Sequence, residues 1–186
     1  MPFFSPTTQA VAGYVLLFLL VAPLFPFLYL VIRWRAEGRH EAGIGTHGAL
    51  CYFLQVSVLL LLAALANLTY GWISTTEILP FQTRLSWGMF TSSVVFLVLN
   101  TAMLFLQRPS PAWRDLRRVF WGFLMVMTGL VALTTLVLFW VTYYYNPGQE
   151  AHWEIRADDM KLYGSWCGYF LVTYIASTIA LTRGRP

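Results

Sequence analysis

The chain has 186 residues, of which 58% are hydrophobic and 11% charged, with a formal net charge of +4 and a mean hydropathy of +0.62. Soluble domains carry about 25% charged residues, so this composition excludes an ordinary soluble fold and points to a polytopic membrane protein. No nucleic acid is expected as a partner. Lys161 is the sole lysine against eleven arginines, which suggests a GC-rich, bacterial coding sequence.

Residues 1–9 are polar at Ser5 to Thr8 and contain no basic residue. They lack the positive region that opens a secretory signal, and so do not read as one. Residues 10–32 are expected to form the first span, interrupted by Pro23 and Pro26. Proline removes a helix hydrogen bond and kinks the backbone, so this helix is expected to bend. A polar loop with Arg33, Arg35, Arg39, His40 and His47 follows. Four further spans are expected at 49–73, 85–106, 119–145 and 163–181, each near the roughly 20 apolar residues that cross a bilayer. Asn146-Pro147-Gly148 reads as the turn that closes the fourth. The result is a single all-α integral membrane domain over 1–186, with five transmembrane helices.

A basic, proline-broken joint, from Gln107 to Arg118, separates two pairs of spans that resemble each other. Phe53-Leu54-Gln55-Val56 opens the first pair and Phe123-Leu124-Met125-Val126 the second; Ser86-Trp87-Gly88-Met89-Phe90 resembles Ser165-Trp166-Cys167-Gly168-Tyr169-Phe170. Residues 49–107 and 119–186 therefore read as a duplicated helical hairpin, of the parallel-repeat kind. The competing reading is chance similarity within a small apolar alphabet.

Nine basic residues (Arg33, Arg35, Arg39, Arg108, Arg114, Arg117, Arg118, Arg183, Arg185) fall on one side of five alternating spans, against Arg84, Arg156 and Lys161 on the other. The positive-inside bias then puts the N-terminus outside and the C-terminus in the cytoplasm, in a bacterial inner membrane. Tryptophans cluster at span ends, as headgroup anchors do. Trp113, Arg114, Arg117 and Arg118 form a juxtamembrane segment suited to anionic lipid headgroups.

No Asp, Glu, Lys, Arg or His lies inside the five expected spans. Proton relays and ion-coupled carriers keep such residues at depth, and a haem between helices needs an axial ligand there. Neither function is expected, and no cofactor. The polar residues at depth are neutral: Gln55, Asn67, Ser92, Ser93, Asn100, Thr134 and Thr135. Depth counting pairs Gln55 with Asn100 in the inner half and Asn67 with Ser92 and Ser93 in the outer half. These residues read as interhelical contacts, or as the lining of a polar pathway. His47 and Cys51, four residues apart, share a helix face, but one pair falls short of a metal site. Cys51 and Cys167 lie on opposite sides, too far apart for a disulfide. The outer loop residues Trp153, Glu154, Arg156, Asp158 and Asp159 suggest a short interfacial helix and a contact for an external partner.

No catalytic constellation stands out. The function expected is a non-catalytic subunit packed in a larger membrane complex, with membrane lipids and other subunits (or itself) as partners. A homo-oligomeric channel or facilitator for a neutral or weakly charged solute is the alternative.

Overall fold

A computed structural model describes residues 17–18, 20–38, 44–74, 80–106, 112–144 and 153–183; the side chains of 44, 80–82, 112–113 and 153–156 lie outside that description. Among the described residues the chain is entirely helical, without a strand. The five helices are α1 (Leu24–Ala36), α2 (Ile44–Ile73), α3 (Pro80–Leu106), α4 (Ala112–Tyr144) and α5 (Trp153–Arg183).

Four stretches are long and apolar enough to cross a membrane: Gly45–Ile73, Thr83–Leu106, Arg114–Tyr144 and Ala157–Arg183. The shortest has 24 residues, roughly 36 Å of helix against a hydrocarbon core of about 30 Å. The chain is thus a multi-pass membrane protein. Four helices start before the expected limits, α2 at Ile44, α3 at Pro80, α4 at Ala112 and α5 at Trp153. No glycine or proline interrupts 112–121 or 153–163, so polar flanks continue the helix without a break. The stretch from Trp153 to Met160 is accordingly the start of α5, and not a separate interfacial helix.

The expected first span lies partly outside the described residues, which begin at 17. Residues 17–18 and 20–21 are helical, Ala22 and Pro23 form a turn, and α1 starts at Leu24 with Pro23 as its N-cap. Pro26 falls in the first turn of α1, where a missing N–H costs nothing because that donor has no intrahelical partner. The Tyr52 hydroxyl donates to the Leu20 carbonyl at 2.6 Å, giving a carbonyl beside the turn a partner from a neighbouring helix. At the other end Gly38 adopts φ 69°, and its N–H donates to the Arg35 carbonyl at 3.1 Å. Glycine enters that left-handed region without steric cost.

Helices adjacent in sequence pair in space, α2 with α3 and α4 with α5, and α2 also packs on α5, α4 and α1. This makes α2 the central helix. Ala63, Ala64 and Ala66 are buried along it; small side chains let helix backbones approach, and close packing is what drives helix association in lipid. One core gathers Leu59, Phe120, Leu124, Met127, Ala132 and Phe170. A second, nearer the start of α2, gathers Phe27, Leu30, Trp34, Cys51 and Leu116. The helix α3 is the exception, because α2 is the one described helix it packs on.

Candidate functional site

Most hydroxyls at depth bond within their own helix. Ser93 donates to the Met89 carbonyl at 2.6 Å, Thr135 to Val131 at 2.8 Å, and Thr128 to Leu124 at 2.7 Å. The Asn100 amide likewise donates to the Phe96 carbonyl at 2.6 Å. Back-bonding to the carbonyl four residues earlier is the local option where no water competes. Ser92 and Thr134 are exposed on the outside of the bundle.

Asn67 bonds across to α5. Its side-chain oxygen accepts from the Trp166 indole N–H at 3.0 Å, where the sequence had suggested Ser92 and Ser93. Close by, Thr69 and Tyr169 share a hydroxyl–hydroxyl bond of 2.9 Å. Side chains lean toward the N-terminus of their own helix, so Trp166 and Tyr169 reach along α5 toward the end of α2. There Asp158, 3% exposed, accepts from Ser74 at 3.0 Å and from Lys161 at 2.9 Å. The α2–α5 seam is a polar ladder over this half. Trp166 also stacks flat on Phe170, with centroids 5.5 Å apart. An indole N–H at depth needs an acceptor, and Asn67 supplies it.

Asp159 is partly buried on α5, beside Asp158. The side chains of Trp113, Trp153, Glu154 and Arg156 lie outside the described residues.

Gln55 differs from every other polar residue in the bundle. It is fully buried, and both its amide nitrogen and its amide oxygen lack a hydrogen-bond partner among the described residues. Among the described residues no other buried side-chain nitrogen or oxygen is in that position. An unpaired buried polar group costs about 1–3 kcal/mol. Gln55 and Asn100, paired by depth in the sequence reading, are not brought into a hydrogen bond.

One turn before Gln55, the surface of α2 opens into a groove. Helices α3 and α4 both flank α2 at this level without packing on each other. Between them lies a cavity of about 310 Å³. Its floor is Cys51 and Leu54; Thr101, Leu104 and Phe105 of α3 form one wall, and Arg117, Phe120 and Trp121 of α4 the other. All but Thr101 and Arg117 are apolar. Arg114, Arg117 and Arg118 are exposed on the first turns of α4. His47 is partly exposed one turn before Cys51, and the described residues contain no group of three or more metal-ligating side chains.

The arrangement can bind apolar matter beside a cation. No protein-family model, curated protein or solved structure matches this chain.

Proposed function

We propose that this protein is a non-catalytic membrane subunit that packs against other chains in a larger membrane complex. The observation that carries the reading is the bare face of α3. This helix packs on α2 alone among the described helices. Leu85, Gly88, Ser92, Val95, Leu99 and Ala102 are all exposed on it, spaced alternately three and four residues apart. That spacing forms one continuous seam of the kind that receives a second helix. Gly88, Ser92 and Ala102 are small, and a Cβ added at Gly88 would meet nothing within 4 Å. Small residues at such spacing favour close helix–helix contact in lipid, where packing and not hydrophobicity drives association.

The facilitator reading draws less support. Asn67, Ser93, Asn100 and Thr135 spend their hydrogen bonds inside the bundle, so a route along them would have to break those bonds. The proposal includes a topology, with the N-terminus outside and the C-terminus in the cytoplasm of a bacterial inner membrane. It also includes a first span, bent near Pro23, that brings the number of spans to five, and a common origin for the two hairpins.

The test is the mass and composition of the gently solubilised native assembly. Other chains at a fixed ratio are expected, and Gly88→Leu or Ser92→Leu should abolish their co-purification while leaving the helix content unchanged. Recovery of this chain alone, or only with copies of itself, would overturn the reading.

A further inference from the structure

The groove between α3 and α4 carries an inference that does not depend on what covers the outer face of α3. Three features define what fits it. The first is size. The cavity measures about 310 Å³. The volume is at the low end of the roughly 300–1,000 Å³ usual for small-molecule sites.

The second feature is chemistry. Leu54, Leu104, Phe105, Phe120 and Trp121 make the walls apolar, and Arg117 contributes the one charge to the lining. Such a slot suits a ligand with a long apolar body and an anionic head. A guanidinium presents two parallel N–H donors to a phosphate, which suits it to that head better than an ammonium would be.

The third is position. Arg114 precedes Arg117 by three residues on the same helix, so the two lie on one face, and both are exposed at the end of an apolar span. That is the level of lipid headgroups. A membrane supplies a molecule of this shape in abundance.

We propose that the groove is a specific site for one anionic phospholipid, with an acyl chain between Leu104 and Phe120 and the phosphate on Arg117, supported by Arg114. This goes beyond general attraction of arginines to a charged surface, because it requires a chain inserted between two helices and a fixed stoichiometry.

The experiment uses the full-length protein reconstituted in vesicles of equal parts phosphatidylglycerol and phosphatidylcholine, then released into neutral detergent for native mass spectrometry. Retention of a single phosphatidylglycerol per chain is expected. Arg117→Gln, an exposed substitution that leaves the core untouched, should lower that retention about fivefold, the scale of one basic residue near an anionic headgroup. Leu104→Trp, which fills the slot, should abolish retention without altering the charge. Equal retention of phosphatidylcholine would overturn the proposal, as would wild-type retention by both variants. So would complete displacement by inorganic phosphate, which would mean that the apolar slot is not used. Cross-linking from Leu104→Cys to another polypeptide in place of lipid would assign the groove to a protein partner and overturn it too.

Discussion

The Tyr174 ring of α5 lies directly against the backbone of α4 at Gly129. A Cβ added there would stand 3.0 Å from Tyr174 Cδ2 and 3.2 Å from Cε2. Hydrogen at this position is what lets the two helices close. Gly129→Ala asks the ring to give by a few tenths of an ångström, while Gly129→Leu forces the helices apart. Over-packing of this kind costs about 1–3 kcal/mol. The Leu variant should therefore unfold at a lower temperature in detergent micelles than the Ala variant. Adding Tyr174→Ala to Gly129→Leu should recover part of the loss, as a paired thermal melt would show.

Asn67 and Trp166 hold the α2–α5 seam through the indole N–H. Interhelical hydrogen bonds in membrane proteins average about 0.6 kcal/mol and reach about 1.7 kcal/mol. A double-mutant cycle with Asn67→Leu and Trp166→Phe should return a coupling energy of that size by reversible denaturation in mixed micelles. Asn67→Leu paired with Ser93→Ala should return none, since Ser93 bonds to Met89 of its own helix.

Gln55 is a candidate for gain. Methionine has nearly the same shape and no amide to desolvate. Gln55→Met should raise stability by about 1–3 kcal/mol, the cost of burying polar atoms without partners. Denaturation midpoints of the purified protein read this directly. Gln55→Ala should lower stability instead, because the cavity term then dominates.

The all-helical class and four of the spans were legible because both rest on local information. Long apolar runs set the spans, and the basic, proline-broken joint marks where one pair of helices ends and the next begins. Ser93 and Thr135 bond to carbonyls of their own helices, whereas the sequence reading offered both as interhelical contacts or a pathway lining. The Asn67 partner was not legible, since Trp166 lies 99 residues away and which helices flank α2 is decided by packing among surfaces of similar hydrophobicity. The α3–α4 groove is hidden for the same reason. Apolar pattern does not say which two helices will fail to meet, and Thr101 and Arg117 look unrelated until α2 holds their helices apart. The starts of α2, α3, α4 and α5 were set too late because hydropathy marks where lipid stops, whereas a helix stops where its backbone must.

The polar ladder on α2 also has a bearing on how the molecule is made. Asn67 and Thr69 sit on α2 and Ser74 directly follows it, whereas their partners Trp166, Tyr169 and Asp158 all belong to α5. During synthesis α2 emerges first, then α3, and α4 must follow before α5 is available. Over that interval the ribosome has delivered a hairpin whose Asn67 amide and Thr69 hydroxyl still await their α5 partners. The α2–α5 seam therefore closes only with the last helix to be made.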